Sequence, residues 1–302
     1  VVDGAAPKAK IRQYAKGALN AAGIEDVSRV PVDQIAAAVG LHRRDLFELG
    51  EEVPRRFRDV VSKLKGKVLG LLAIEKREYF VDRTVPIARQ RFTEGHEIGH
   101  DALPWHEAAF WGDDHTTLHP STKNVLESEA NRFSAELLFG AGRFTKQADQ
   151  YAPGLEVALY LAPEYGVSAH AAIRKYVEDS EHAIAVLALG QYPSQARTVR
   201  HIEAQSFESP RFVKRYGRLS AMLRTFVGAA TYPELEALLA LSTGSVPPCE
   251  VVLDTARGST RFTAEGFTNG RLNFVVLHKK SRLDGQKLRL MSVDGFELLP
   301  AS

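Results

Sequence analysis

The sequence predicts an α+β protein, and three observations point to it. A helix-patterned stretch containing H-E-x-x-H at 96–100 follows two strand-like runs. Residues 155–178 read as helix, tight turn, helix. Residues 250–299 hold several short β-patterned segments separated by Gly and Asp turns, as an antiparallel sheet flanked by helices would. The expected division of the 302 residues is a first domain over 1–142, a helix-turn-helix-like unit over 143–182 and a sheet domain over 183–302.

The first domain opens with helix-forming composition over residues 7–22 that stops at Gly23, as a helix with a glycine cap does. A second helix begins near Pro31-Val32-Asp33, with proline at an early helical position, and ends at Gly40. Arg55, Arg56, Arg58, Lys63, Lys65 and Lys67 then alternate with Phe57, Val60, Val61 and Leu64. This reads as a solvated helix face, ahead of a contact for DNA or an acidic partner. Residues 68–74 and 78–81 carry the composition of two strands joined by a polar turn. The next helix opens around Thr84-Val85-Pro86, with Thr84 as cap and Pro86 in the first turn, and runs through residue 100. Gly95 and Gly99 inside it are small enough to let a strand or substrate backbone approach.

On that helix His96 and His100 stand four residues apart on one face, so both imidazoles aim at a single point. That is metal-ligand spacing. Glu97, one step round, is placed to take a proton from a water held there rather than to bind the ion. The single cysteine, Cys249, leaves only His and carboxylate as metal donors, and the H-E-x-x-H pattern is one that zinc sites use, with manganese the alternative. A sheet with an adjacent metal-binding helix is also the general plan of zinc-dependent peptidases.

A third donor has to come from elsewhere. Residues 101–120 read as a loop whose His106, His115 and His119, with Asp101, Asp113 and Asp114 among them, are rival ligands. Ser121 is a plausible cap for the helix that follows, in which Leu126, Ala130, Phe133 and Leu137 form the core stripe. Glu127 and Glu129 lie on opposite shoulders of that stripe. Glu127 shares its shoulder with Asn131, Ser134 and Leu138, which suit a half-buried site; Glu129 shares its own with Arg132 and Glu136, which reads as a solvated face. Glu127 is therefore favoured over Glu129 and the loop histidines, with Asn131 as a neighbour able to orient a ligand.

Three stretches in this order resemble the ImmA/IrrE family of bacterial metallopeptidases: 30–36 with Gly40, 88–93 leading into H-E-I-G-H, and 127–138. Length and the added C-terminal region look most like the family's radiation- and desiccation-response regulators. The resemblance implies a zincin-like peptidase domain and a zinc endopeptidase that cleaves a helix-turn-helix transcriptional repressor, so inducing a DNA-damage response. It carries the metal ligands onto His96, His100 and Glu127 and the catalytic carboxylate onto Glu97. Thr93-Glu94-Gly95 departs from the family's usual Thr-x-Ala run, setting an acid and a glycine beside the site. The C-terminal region is similar to the GAF-like sensor domain of these regulators, which implies a small-molecule effector; a scaffold role is the alternative.

Composition narrows the remaining choices. A net charge of +2 argues against a chain whose main task is non-specific nucleic-acid binding. No stretch has the apolar length of a signal peptide or of a membrane span, so no membrane partner is expected. One cysteine fits a reducing cytoplasm, and Cys249 beside Pro247 and Pro248 reads as an ordinary buried thiol rather than an oxidation sensor. The second helix of the helix-turn-helix unit offers only His170, Arg174 and Lys175 to DNA, so packing or protein docking is the favoured role. A DNA-binding regulator with a structural or inactive metal site is the rival reading. Tyr165, His106 and His170 are the candidates for stabilising an oxyanion.

Overall fold

The computed structural model describes residues 6–45, 70–73, 77–106, 120–192, 200–222, 232–240, 244–279 and 287–288. Two compact units follow from its internal contacts: Val1–Phe144 with Glu164–Val167 and Ser302, and Thr145–Pro163 with Ser168–Ala301.

In the first unit, helix α1 (Lys8–Ala21) buries Ile11, Ala15, Ala18 and Leu19, the 4-7-8 spacing of one helical face. Gly23 beyond it takes φ 65°, a conformation that glycine adopts without steric cost. Helix α2 (Val32–Ala38) starts directly after Pro31. Three strands form one sheet: β1 (His42–Asp45), β2 (Gly70–Ala73) and β3 (Glu78–Val81), in the order β1-β3-β2. β1 runs parallel to β3 and β2 antiparallel to it. Strand β1 has no apolar alternation to announce it. Its polar side chains are instead held by acids: Arg44 lies 3.1 Å from Glu78, and Arg43 is ion-paired with Glu94.

The long helices α3 (Ile87–Ala102) and α4 (Pro120–Leu138) complete this unit. Thr84 does not cap α3. The Asp82 carboxylate accepts from the Thr84 amide at 2.8 Å and its hydroxyl at 2.6 Å, closing a turn, and the helix begins after Pro86. Ser121 likewise sits inside α4 rather than at its cap. The expected core stripe is buried, with Leu126, Ala130, Phe133 and Leu137 each at 1% exposure or less. Phe133 and Leu137 join Ile11, Ile35, Tyr79 and Ile98 in one core. Gly95 and Gly99 serve this packing, not the approach of a strand. A β-carbon on Gly95 would meet Ser134 Oγ at 2.6 Å, and one on Gly99 would meet Phe133 at 3.1 Å.

Helix α5 (Arg143–Ala148) leads out of the first unit. Helices α6 (Leu155–Tyr165) and α7 (Ala169–Asp179) follow in the expected order, with Gly166 at φ 63° between them. Ser168 caps α7 by accepting from the Ala171 amide at 3.2 Å. The second unit's sheet contains β4 (Ile184–Tyr192), β5 (Arg200–Glu208), β6 (Gly244–Thr255), β7 (Gly258–Thr268) and β8 (Leu272–His278), antiparallel in the order β5-β4-β8-β7-β6. Short helices α8 (Pro210–Tyr216), α9 (Leu219–Met222) and α10 (Glu236–Leu239) lie between β5 and β6 in the chain. Phe212, Tyr216 and Leu239 pack with Leu187, Phe262 and Val275 of the sheet. Cys249 is half-buried at the margin of that core, and burial raises its thiol pKa. Of the strand expected at 288–293, only Leu288 is described, in a bridge to Tyr151.

Helix α7 is largely occupied. The His170 ring lies against Phe274 at 5.2 Å, Arg174 stacks over Phe207 at 4.8 Å, and Lys175, 5% exposed, pairs with Asp179 at 3.0 Å. Among the described residues no helix is long and apolar enough to cross a membrane.

Candidate metal centre

Helical geometry brings His96 and His100 edge to face on α3, with ring centroids 4.7 Å apart. Glu127 reaches them from α4. The His96 and His100 Nε2 atoms are 3.1 Å apart; Glu127 Oε2 is 3.3 Å from the first and Glu127 Oε1 is 3.7 Å from the second. Among the described residues these three form a group of metal-capable donors whose ligand atoms all lie within 4.8 Å of one another. A tetrahedral ion with bonds of about 2.0–2.1 Å holds its donors roughly 3.3 Å apart, a spacing this triangle brackets. The donor set of two imidazoles and one carboxylate is the composition of an open zinc site with a fourth position for water. The Glu127 side chain is 46% exposed, so the triangle is reachable from solvent.

The electrostatics match a place for positive charge. Contact with His96 is the largest influence on Glu127 and holds its carboxyl below the usual range, against the opposing effect of burial. For His96, burial works downward, but the hydrogen bond to Glu127 and the charges of Glu97 and Glu127 outweigh it and raise the pKa. Without an ion, the triangle draws a proton into itself. Glu97 is 5% exposed, and burial, reinforced by the charge of Glu127 and opposed by His96, pushes its pKa up to about 7. A carboxylate poised near neutrality can both accept and return a proton.

The neighbouring side chains are ordered in a way the sequence showed only in part. Asn131 lies as expected, its Oδ1 3.0 Å from His96 Nδ1. His106 is not a ligand in this arrangement: its Nδ1 is 3.0 Å from His100 Nδ1 and its Nε2 3.0 Å from Glu129 Oε2. Both nitrogens are engaged, which also removes His106 from the oxyanion candidates. Glu129 and Glu136 are each 1% exposed, so the two acids of the supposedly solvated shoulder of α4 are buried, while Arg132 is exposed. Glu136 pairs with Arg12 of α1 at 2.8 Å, and Glu129 accepts from Trp105 Nε1 at 2.7 Å and from the Ala6 amide. Burial favours the neutral form of Glu129, but these donors and His106 outweigh it and keep the carboxyl low. Burial dominates at His106 and lowers its pKa despite Glu129.

Helical periodicity could not find this arrangement, because α1 and the 103–106 segment approach α4 only in three dimensions. The unusual Glu94 faces Arg43 of β1. Tyr165 packs between Phe139 and Phe144, and His170 belongs to the second unit. Asp113, Asp114, His115, His119 and the basic stretch from Arg55 to Lys67 lie outside the described residues.

Residues 69–176 match the family model of the IrrE N-terminal-like domain, a span that contains His96, Glu97, His100 and Glu127. A solved structure described as a Mycobacterium tuberculosis transcriptional regulator aligns with a TM-score of 0.55 at 10% identity, over 94% of this chain and 92% of that one. At that identity the likeness is one of fold. No match was found among curated proteins.

Proposed function

We propose, from the match of residues 69–176 to the IrrE N-terminal-like domain, that this is an ImmA/IrrE-family protein and a zinc-dependent endopeptidase acting on a helix-turn-helix transcriptional repressor. The observation that carries the reading is the His96, His100, Glu127 triangle with Glu97 adjacent to His96 in sequence. Bound there, zinc would polarise a peptide carbonyl and acidify a water. The chain's own residues do the rest. His96, His100 and Glu127 would hold the ion. Glu97 accepts a proton at its carboxylate and hands it to the amine nitrogen released when the peptide bond breaks. The nitrogen donors favour zinc, with manganese as the weaker alternative.

Cleavage of such a repressor would release the genes it silences, here a DNA-damage and radiation response, in a reducing cytoplasm suited to a single cysteine. The substrate class rests on the family resemblance. In this reading the catalytic domain is residues 1–142, the helix-turn-helix-like region 143–182 aids docking, and the GAF-like region 183–302 receives a small-molecule effector that gates the protease. The fold shared with a transcriptional regulator favours one rival, a DNA-binding regulator with a structural metal site.

The test is incubation of the purified chain, with zinc or with chelator, against helix-turn-helix repressors encoded in the same genome. The expected outcome is one defined fragment that requires metal and disappears in Glu97→Gln, while that variant still binds zinc. Fragment formation by Glu97→Gln at the wild-type rate would remove Glu97 from its role. No fragment from any repressor, combined with DNA affinity that falls steeply with salt, would favour the rival.

A further inference from the structure

Resting on the reading that His100 is a metal ligand, we propose that Glu129 and His106 are positioning residues that set the tautomer of His100 and so aim its Nε2 lone pair at the ion. An ionised carboxylate only accepts hydrogen bonds. Glu129 Oε2 takes one from Trp105 Nε1 at 2.7 Å and faces His106 Nε2 at 3.0 Å, while the Ala6 amide donates to Oε1. His106 must therefore carry its proton on Nε2, and a neutral imidazole so protonated presents a lone pair at Nδ1. That atom lies 3.0 Å from His100 Nδ1. Two lone pairs cannot share such a contact, so His100 carries its proton on Nδ1. Its lone pair is then on Nε2, the atom 3.1 Å from His96 Nε2 and 3.7 Å from Glu127.

At His96 the amide oxygen of Asn131, 3.0 Å away, likewise accepts an Nδ1 proton; in the metal-free chain the 3.1 Å contact between the two Nε2 atoms is bridged by a proton on His96 that the ion replaces. The two ligands differ in what surrounds their partners. Asn131 lies on an exposed part of α4, whereas His106 and Glu129 are 0% and 1% exposed. The contacts that orient His100 are thus shielded from solvent, where the one that orients His96 is not. In water a free histidine side chain favours the opposite tautomer, with the proton on Nε2. Without the relay, metal binding has to displace that proton. Loss of a partner that orients a ligand typically weakens metal binding about 10–100-fold.

The test reads the tautomer directly, on the full-length metal-free chain, from the nitrogen-15 resonances of His100, assigned by their loss in His100→Gln. The wild type is expected to show His100 protonated at Nδ1. His106→Leu should shift it to the Nε2-protonated form and weaken zinc binding, measured by competition with a chelator, about 10–100-fold. His106→Gln keeps an amide oxygen for His100 and an N–H for Glu129, and should restore both readouts, which a purely structural role would not require. A wild-type His100 protonated at Nε2 would overturn the proposal. So would His106→Leu with both tautomer and affinity unchanged. If His106→Leu fails to fold, as judged by circular dichroism, the wild-type spectrum and His106→Gln decide. A wild type that shows the Nδ1 tautomer but binds no zinc supports the relay and removes the peptidase reading instead.

Discussion

A β-carbon on Gly99 would stand 3.1 Å from the Phe133 side chain, so α3 and α4 touch backbone to ring within one residue of His100, the proposed ligand. Alanine there gains about 1 kcal/mol of helix propensity but overpacks a contact with no slack. Gly99→Ala should therefore destabilise the metal-free protein by up to about 2 kcal/mol in urea denaturation, the overpacking cost less the propensity gain, and weaken zinc binding as the helices part. Gly17 on α1, with nothing within 4 Å of its would-be β-carbon, is the control. Gly17→Ala should stabilise by up to about 1 kcal/mol, and equal effects at the two glycines would contradict the packing argument.

Glu97 gives a pH dependence with a definite sign. Its carboxyl in the folded metal-free protein is pushed up from 4.5 to about 7, first by burial. The folded state then holds a proton that the unfolded chain has released, so this group's contribution to stability falls as pH rises from 4.5 to 7 and levels off above. Denaturation of wild type and Glu97→Gln across that range should converge at the acid end, with the variant gaining relative to wild type toward neutrality. Parallel curves would mean that Glu97 titrates normally.

Helix α7 supplies a prediction against the DNA-reading rival. Lys175 and Asp179 are 5% and 6% exposed in side chain and 3.0 Å apart, and Arg174 is held by Glu178 at 2.9 Å and by the Phe207 ring. Lys175→Met should cost about 3 kcal/mol or more of stability, because it strips a buried carboxylate of this cation. Arg174→Ala should leave any weak DNA affinity and its salt slope unchanged. A drop of about one unit in that slope would show Arg174 on a phosphate.

What could be read in advance was whatever lies along one helix. The convergence of His96, His100 and Glu127 was legible because four-residue spacing and the composition of one shoulder of α4 are local properties. Asn131 followed from the same face. What stayed hidden depended on a second element arriving. Glu129 and Glu136 look solvated beside Arg132, yet α1, with Arg12, and the segment of Trp105 and His106 cover them. Strand β1 escaped notice because its Arg43 and Arg44 are neutralised by Glu94 and Glu78, acids distant in sequence. Gly95 and Gly99 were legible as sites of close approach, but the partner proved to be α4 rather than a substrate.

Two carboxylates two residues apart on α4 make the sharpest contrast. Glu127 is 46% exposed in side chain and faces the imidazoles, while Glu129 is 1% exposed and holds Trp105, His106 and the Ala6 amide. Truncating the first removes a metal donor but strands little; truncating the second leaves buried donors without an acceptor, at about 1–3 kcal/mol for each such group. Glu127→Ala should therefore abolish measurable zinc binding with metal-free stability within about 0.5 kcal/mol of wild type. Glu129→Ala should lower metal-free stability by several times that amount while retaining some zinc affinity, because all three donors remain. Calorimetric zinc titration and urea denaturation of both variants separate these outcomes. If Glu129→Ala loses zinc entirely at full stability while Glu127→Ala still binds it, the roles assigned to the two acids are reversed.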